Sequence, residues 1–551
     1  MKPKTAFFLV IFLALALRVI GVNFGLPFLH HQDEPIVVNH ALAYSSGDLN
    51  PHFFKIPPLL SYVLFGVYGL FYGLVHFLRG WSPDQFAALF FRDPSWFYLL
   101  GRLIFGVILG TLSVAILYRL ATKYFSEKIA AVSALFFAGS YFHVRDSHYV
   151  YADIPMILAM LLFFLALAEY QTSGQRAKAF GAGIWLGVAV AFKYIAAPVV
   201  VSLFWVLGRK PKLLFGALAV SAVAYIFLNP YSLLDWIFFW KEIFQQAQAE
   251  TPAPYFFHHL VYSLFEGQGV LIICSGIVGS FILFKKKPEL RHLVVFVFLW
   301  YFMTARFSQS FERYVMPMAP FLCFFSAFAL NWAVERFIQK KFQLAVFAAF
   351  VVFFLTVPLS KSVYLDWLVM RPDTRVSARA WILENLPEKS VVALNQPFFG
   401  PQLTQTDEQL AQKQGRISSD DPQDKLKQKK LRLIQEAAKG QKRFEVFYLR
   451  GHSVGDPSFL TWSPWMDANE RDFERLRVRY VVRYPTAEES KNLLPLLQRH
   501  FRLLKIFSPY RSDTKIESSD PYGSTGLPFL SKELFSRKAP GPYLEIYEWL
   551  E

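Results

Sequence analysis

The chain has 551 residues, of which 54% are hydrophobic and 18% aromatic, including 59 phenylalanines. Soluble domains average roughly 45–50% apolar residues, whereas here apolar runs of about 15–25 residues recur up to residue 358, which predicts a polytopic α-helical membrane protein. The net charge is +16, but the basic residues of the apolar part fall in short turns, a topology signal, and we predict no nucleic-acid partner. The two cysteines, Cys274 and Cys323, allow neither a disulfide framework nor a zinc-finger spacing.

The first apolar run, residues 5–22, follows Lys2 and Lys4 and has no A-x-A-like cleavage site. We interpret it as an uncleaved anchor with a cytoplasmic N-terminus. Eleven runs in all predict transmembrane helices, at 5–22, 97–121, 129–144, 154–170, 180–192, 195–207, 213–229, 269–284, 293–306, 314–333 and 343–358.

A twelfth run, residues 56–80, is long enough to cross the membrane and decides the orientation of everything after it. If it crosses, five basic turns lie outside, at 123–128, 175–178, 208–212, 285–292 and 335–341. If it lies along the outer interface as a juxtamembrane helix, all five turns lie in the cytoplasm, as the positive-inside rule requires. We therefore predict about eleven transmembrane helices and an extracytoplasmic C-terminus.

The composition turns polar after residue 360, and the remaining chain is long enough to bury its own core. Helix patterns at 373–386 and 490–500 alternate with strand-like runs, which predicts a small α/β domain. The strand-like runs are 390–395, 444–449, 480–485, 502–508 and 543–549. Residues 402–442 are typical of a charged helix or a partly disordered insertion. We expect a transmembrane module at 1–359 and an extracytoplasmic domain at 360–551.

This topology places acids and bases from distant parts of the chain on the outer face. The acids are Asp33, Glu34, Asp146 and Asp153, and the bases are Lys55, Lys193, Arg306 and Arg313. A carboxylate serves as general base toward an acceptor, and cations bind a phosphate and stabilise the charge that grows as it leaves. Together they predict group transfer from a lipid-linked phosphate. No GxxxxGK[ST] loop occurs in the sequence, which argues against nucleotide-driven chemistry.

Seven stretches, spread in order over about residues 5–400, resemble one known family. They are HQDEP, FFKIPPLLSYVL, GRLIFGVILGTLSVAILYRLATKYF, SHYVYADIPMILAMLLFFLAL, GVAVAFKYIAAPVVV, RYVMPMAPFL and DTRVSARAWILENLP. In this order they resemble the GT-C fold polytopic glycosyltransferases, family 39-like, the group of protein O-mannosyltransferases and lipid A aminoarabinose transferases. Two positions depart from the family pattern: Ile56 separates Lys55 from the prolines, and Phe192 stands where threonine usually precedes Lys-Tyr.

The resemblance implies inverting transfer of a hexosyl or pentosyl group from a polyprenyl-phosphate donor to a protein, lipid or glycan acceptor. It also implies an extracytoplasmic active site, which we expect in a bacterial inner membrane. Asp33 is expected to be the base that activates the acceptor. Glu34 and Asp153 are expected to orient the acceptor or sugar and to tune that base.

The same resemblance implies that Lys55 and Arg313 hold the lipid phosphate, with Tyr314 as a hydrogen-bond donor and Lys193 as a further cation. Catalysis in this family does not generally require a metal, and we predict none. A divalent metal near the acids remains an alternative, with His30, His31 or His52 as ligands.

Simpler roles remain open for most of these residues. Asp33 or Asp153 could cap a helix, Asp146 could pair with Arg145 or His148, and Arg313 could pair with Glu312. Two other functions also remain open. One is a transporter or flippase, which would carry ionisable residues on interrupted helices near the midplane. The other is an inactive scaffold that binds polyprenyl lipids.

Overall fold

The computed structural model describes residues 3–28, 30–31, 33–247, 255–306, 311–395, 400–415, 422–449, 465–485, 491–511 and 527–550. Within these ranges the chain is helical up to residue 385, and the strands that pair into a sheet follow from residue 391 onward.

Six helices of the described chain are long and apolar enough to cross a membrane. They are Leu59–Arg79, Ser95–Thr122, Asp153–Ser173, Pro211–Leu228, Glu312–Phe337 and Lys340–Asn385. A helix pair, His259–Gln268 and Val270–Lys286, bends by 109° and adds a seventh span if it is counted as one. The protein is therefore an integral membrane protein.

The predicted number of eleven spans is not confirmed, because several predicted runs form helices shorter than 18 residues. Shorter helices of the helical part are Pro3–Val19, Glu34–Ala43, Pro83–Arg92, Glu127–Ala138, Tyr141–Asp146, Arg176–Phe192, Tyr194–Leu207, Trp236–Ala247 and Arg291–Thr304. The run 129–144, for example, is broken at Gly139 and Ser140 into two helices. Since a helix rises about 1.5 Å per residue, these pieces fall short of the roughly 30 Å hydrocarbon core.

The segment predicted to lie along the interface forms the helix Leu59–Arg79, which is itself among the six apolar helices. One of its faces is strongly exposed, with Leu70 79% and Phe77 84% accessible. Such a face suits lipid contact in either orientation, so the interfacial position stays a prediction.

Close backbone packing fixes the helix Ser95–Thr122 against the segment that leads to Asp153. A Cβ atom at Gly106 would lie 1.8 Å from the carbonyl oxygen of Ser147. This helix has a π-helical stretch at Arg102–Ile108, and such stretches are frequent at functional sites. Only glycine allows the two backbones to approach this closely.

The strands of the described chain are β1 Val391–Leu394, β2 Glu445–Leu449, β3 Trp465–Met466, β4 Tyr480–Arg483, β5 Phe501–Phe507 and β6 Leu544–Trp549. They form one sheet in the order β3-β2-β1-β4-β6-β5. The pairs β3-β2, β2-β1 and β1-β4 are parallel, and β4-β6 and β6-β5 are antiparallel. All five predicted strand runs are confirmed, and β3 is additional.

Helices cover both faces of this sheet, as a mixed sheet buried on both sides requires. The helices of this part of the chain are Thr374–Asn385, Asp407–Gly415, Pro422–Ala437, Glu470–Arg475, Leu493–His500 and Ser531–Ser536, of which Ser531–Ser536 packs on the helical part instead, with Leu534 in its core. Ile382 belongs to one apolar layer and Leu497 to the other. The predicted helices at 373–386 and 490–500 are confirmed, and the described part of 402–442 contains two helices.

The C-terminal part is anchored to the helical part by a buried lysine. The Lys361 ammonium donates to the Phe529 carbonyl at 2.9 Å and to the Glu266 carboxylate at 2.6 Å. The same carboxylate accepts the N–H of Ser531 at 2.9 Å. These hydrogen bonds hold 527–531 within the core of the helices.

Candidate active site

Asp33 stands directly before the helix Glu34–Ala43, where Pro35 favours a helix start. Its carboxylate lies 3.1 Å from the Arg313 guanidinium, and the side chain is 27% exposed. Asp33 occupies the N-cap position, yet its side chain makes no capping hydrogen bond. The simpler role as a helix cap is therefore absent, and the carboxylate faces a cation from a distant part of the sequence.

Arg313 lies in the 3₁₀ turn that begins the span Glu312–Phe337. Its guanidinium sits over the Tyr151 ring at 4.6 Å. The indole N–H of Trp300 donates to the Tyr314 carbonyl at 2.8 Å and fixes this turn. Among the residues that the structure describes, none accepts a hydrogen bond from the buried Nε of Arg313. A buried N–H donor of this kind favours an acceptor supplied by a ligand.

Asp153 and Lys193 form a second pair beside the first. The Lys193 ammonium donates to both carboxylate oxygens of Asp153, at 2.7 and 2.8 Å. Lys193 follows the helix Arg176–Phe192 in an extended conformation. Its ammonium also lies 5.2 Å from the Tyr151 ring and 5.4 Å from the Tyr314 ring. Tyr151 therefore contacts the cations of both pairs.

One member of each pair, Arg313 and Asp153, lines a cleft of about 280 Å³ that is open to solvent, and their partners Asp33 and Lys193 lie directly behind this lining. The cleft is lined by His31, Asp146, Tyr149, Tyr151, Asp153, Ile154 and Arg313. Burial lowers the pKa of His31, and its Nδ1 accepts the N–H of Asp33 at 3.1 Å. Burial also raises the pKa of Tyr151. The imidazole is therefore neutral and the phenol protonated at neutral pH.

Glu34 does not line this cleft, although we predicted a catalytic role for it. It is 1% exposed, and both of its oxygens bind the Arg102 guanidinium, at 2.9 and 2.8 Å. The N–H of Val150 donates to the same carboxylate at 2.9 Å. Helix geometry explains the difference, because Glu34 is in the first turn and points to the protein interior, whereas Asp33 precedes it.

Asp146 pairs with its neighbour, one of the simpler roles considered above. The Arg145 Nε–H donates to the Asp146 carboxylate at 2.8 Å, and the Glu312 carboxylate lies 3.7 Å from the same guanidinium. Glu312 is therefore turned toward Arg145, and Arg313 toward Asp33. Asp146 still contributes to the lining of the cleft.

Lys55 is exposed and lies outside the set of residues that line the cleft. The buried Phe54 precedes it and packs against Phe239 with ring centroids 5.6 Å apart. Phe239 also packs against Tyr194, at 6.0 Å, next to Lys193. Lys55 is thus connected to the cleft through these rings, but it is not part of its wall.

The histidines considered as metal ligands face different partners. His30 lies 3.9 Å from Asp373, His31 stacks near Tyr149 at 4.1 Å, and His52 binds Asp48 at 2.9 Å. Within the described ranges, no group of three or more His, Cys, Asp or Glu side chains has the arrangement of a metal site.

Two residues of this arrangement were not predicted from the sequence. Arg102 lies inside the predicted apolar run 97–121 and was given no role, although a charged residue in such a run signals a buried partner. Tyr151 lies between Asp146 and Asp153, and no local pattern distinguishes it from the neighbouring Tyr149. Its role follows only from the fold.

Fold and site together define a polytopic membrane protein with two acid–base pairs around one cleft at helix ends. Residues 85–233 match the family model of the dolichyl-phosphate-mannose-protein mannosyltransferases. This segment contains Asp153 and Lys193, and the match confirms the resemblance to GT-C glycosyltransferases that the motifs predicted. No curated protein matches the sequence.

Several solved structures are similar to this chain. One is the oligosaccharyltransferase AglB of Archaeoglobus fulgidus with an inhibitory peptide and a dolichol-phosphate, at 12% identity over 100% of this chain and 88% of that chain, TM-score 0.49. Another is ArnT from Cupriavidus metallidurans bound to undecaprenyl phosphate, at 13% identity over 91% of this chain and 96% of that chain, TM-score 0.49. The Pmt1-Pmt2 protein O-mannosyltransferase of S. cerevisiae matches at 19% identity over 46% of this chain and 34% of that chain, TM-score 0.30.

Proposed function

We propose that this protein transfers a glycosyl group, with inversion, from a polyprenyl-phosphate donor to an acceptor at the extracytoplasmic membrane face. The observation that carries the proposal is that Arg313 and Asp153 line the same cleft, each with an ion-pair partner beside it, Asp33 and Lys193. The mannosyltransferase family match over residues 85–233 supports the reaction class.

The donor phosphate requires cations with free N–H groups near the cleft. Arg313 offers its Nε–H, which binds no acceptor among the described residues. Lys193 uses two hydrogen bonds on Asp153, and an ammonium has three donors, so one remains for a phosphate oxygen. We assign Lys55 to the outer side of the same phosphate, with the Tyr314 hydroxyl as a further donor.

Asp33 is the proposed general base. Its carboxylate takes the proton from the acceptor hydroxyl or amine as the acceptor atom attacks the anomeric carbon. The bond from that carbon to the phosphate oxygen breaks, and the polyprenyl phosphate leaves with the electron pair. Attack opposite the leaving group inverts the anomeric configuration. Arg313 and Lys193 stabilise the charge that develops on the phosphate.

Asp153 is proposed to hold Lys193 and to orient the sugar or the acceptor. Glu34 is reassigned from the catalytic set to a supporting one, because its carboxylate is fully engaged by Arg102 and Val150. We further propose that residues 1–359 form the transferase module and that 360–551 form an extracytoplasmic domain, in a bacterial inner membrane.

The test compares cell-envelope glycans and glycoproteins by mass spectrometry in cells with the wild-type protein, with Asp33→Asn and without the gene. Loss of the general base is expected to reduce transfer about 10³-fold, so Asp33→Asn should match the deletion. Asp48→Asn is the control, because this exposed acid lies outside the cleft lining and its contacts in the described chain are local, with His52 and the N–H of Asn50. Normal glycans with Asp33→Asn would exclude Asp33 as the base.

Transport is the second candidate, because the helices on either side of Gly269 meet at 109°. Interrupted helices of this kind line substrate sites in transporters. Purified protein in liposomes separates the two functions. A transporter moves a labelled polyprenyl-phosphate sugar between leaflets without breaking its anomeric bond, whereas a transferase releases polyprenyl phosphate in the presence of acceptor extract.

A further inference from the structure

Two polar contacts attach the segment that carries Lys55 to the helix Trp236–Ala247 and the residue before it. The Asn50 amide donates to the Asp235 carboxylate, just before this helix, at 2.9 Å. The backbone N–H of Phe54 donates to the Glu242 carboxylate at 2.6 Å. The residue next to Lys55 is therefore bound by a charged acceptor, and such hydrogen bonds are roughly twice as strong as neutral ones.

Apolar contacts continue this attachment toward the cleft. Phe54 is fully buried and packs on Phe238 and Phe239, with ring centroids 6.1 and 5.6 Å apart. Phe239 also contacts Tyr194, which follows Lys193. One helix thus contacts both the Lys55 segment and the turn that supplies a cation to the cleft.

The backbone of the segment also needs such an attachment. His52 has φ +47°, a left-handed conformation that is unfavourable for a non-glycine residue and persists only where surrounding contacts enforce it. Glu242 forms no ion pair with any Lys or Arg in the described part of the chain. No cation there competes with the Phe54 N–H for its carboxylate. Lys55 itself forms no ion pair or hydrogen bond there and is free to bind an anion.

The helix presents an apolar face to its surroundings. Trp236, Ile237, Trp240 and Phe244 are all exposed. An amphipathic helix with tryptophans on its apolar face lies at the boundary between lipid headgroups and acyl chains. That boundary is the depth at which the phosphate of a polyprenyl lipid resides.

We propose that Glu242 is a positioning residue for the donor phosphate: it fixes the Phe54 backbone and thereby holds Lys55 at headgroup depth beside the cleft. This inference rests on the proposed function, because it assigns a role to a residue that acts through Lys55. It assigns no contact between Glu242 and the substrate.

The test measures binding of undecaprenyl phosphate to the purified full-length protein in detergent. Glu242→Ala is expected to raise the Kd about tenfold, and Glu242→Gln less than threefold, because the amide oxygen still accepts the N–H. Gln245→Ala, an exposed change on the same helix, should leave the Kd unchanged. Asn50→Ala removes the other contact and should raise the Kd about threefold, which provides a second variant if Glu242→Ala fails to fold.

A double-mutant cycle with Lys55→Ala separates positioning from a general structural effect. If Glu242 acts through Lys55, adding Glu242→Ala to Lys55→Ala changes the Kd by less than twofold. If the effects of Glu242→Ala and Lys55→Ala on the Kd multiply in the double variant, or if Glu242→Ala alone leaves the Kd unchanged, the inference is overturned and the proposed function stays intact. An unchanged Kd with Lys55→Ala alone would instead remove the phosphate assignment of Lys55, on which the inference depends.

Discussion

Asp33 and Glu34 are adjacent acids with opposite surroundings. Asp33 is 27% exposed, makes one ion pair with Arg313 and lies beside the cleft. Glu34 is 1% exposed, and its carboxylate is bound by Arg102 and by the N–H of Val150. The comparison favours Asp33 over Glu34 as the proposed base, because the described contacts leave more of the hydrogen-bonding capacity of Asp33 unused.

The region around Glu34 is built as a closed network. Arg102 uses two groups on Glu34 and donates from a third to the carbonyls of Val22 and Phe24, at 3.0 and 2.9 Å. A buried ion pair is tolerated only with such additional hydrogen bonds. The network ties the first loop to the helix Ser95–Thr122 and to the segment before Asp153, so it supports the cleft without entering it.

The largest expected effect is on stability, from Glu34→Ala. It leaves the Arg102 charge buried without its partner, which costs about 3–5 kcal/mol of unfolding free energy. Thermal unfolding in detergent measures it, with Asp48→Ala as an exposed control. The double variant Glu34→Met/Arg102→Leu should be more stable than Glu34→Ala, because an apolar pair of similar size leaves no unpaired charge buried. A stable Glu34→Ala protein without transferase activity would return Glu34 to the catalytic set.

The second prediction concerns the backbone contact beside this network. Gly106→Ala places a Cβ atom 1.8 Å from the Ser147 carbonyl oxygen, so the helix and the 147 segment must separate. Overpacking of this kind costs about 1–3 kcal/mol. Gly66→Ala is the control, because no atom lies within 4 Å of the position that its new Cβ would take, and a helical alanine is favoured over glycine. Equal stabilities of the two variants would contradict the close contact.

The sequence predicted the local elements well, for physical reasons visible in each. Short continuous apolar runs with β-branched residues identify β1 and β4, as expected of strands buried on both faces, and both form where expected. The number of spans was not confirmed, since hydrophobicity alone does not show that Gly139 and Ser140 divide one apolar run into two helices. The run of hydrophobic residues continues across that break, whereas the α-helix does not.

The site could be predicted only as a set of residue types. Asp33, Asp153, Lys193 and Arg313 were selected because the predicted topology places them on the outer face, where charge near a membrane is costly, and because the family resemblance implies roles for them. Which cation meets which acid is a long-range property: Arg102 and Glu34 are 68 residues apart, and Lys193 and Asp153 are 40 apart. No local pattern encodes these distances, so the structural role of Glu34 became evident only from the fold.

The third prediction concerns the pH dependence of stability that the buried His30 imidazole causes. Burial, and then the nearby Arg375, lower the pKa of His30 to about 3, although Asp373 lies 3.9 Å away. In the unfolded chain the His30 imidazole takes up a proton near pH 6.5, whereas in the folded chain it stays neutral down to about pH 3. The free energy of unfolding therefore falls as the pH drops from 6.5 toward 3. The loss approaches about 1.4 kcal/mol per pH unit. His30→Asn should reduce the slope of the melting temperature against pH between pH 6.5 and 5, and an unchanged slope would exclude His30 as a contributor to it.

The smallest expected effect is the stability change of Asp33→Asn, the counterpart of the Glu34 experiment. An amide oxygen at position 33 still faces the Arg313 guanidinium, and the Asp146 and Asp153 carboxylates line the same cleft as that guanidinium. The pair is also partly solvated, so its loss should change the unfolding free energy by less than about 1 kcal/mol. Measured beside Glu34→Ala under the same conditions, this small change together with lost transfer would separate a catalytic acid from a structural one. A loss of several kcal/mol with Asp33→Asn would instead place both acids in the structural network.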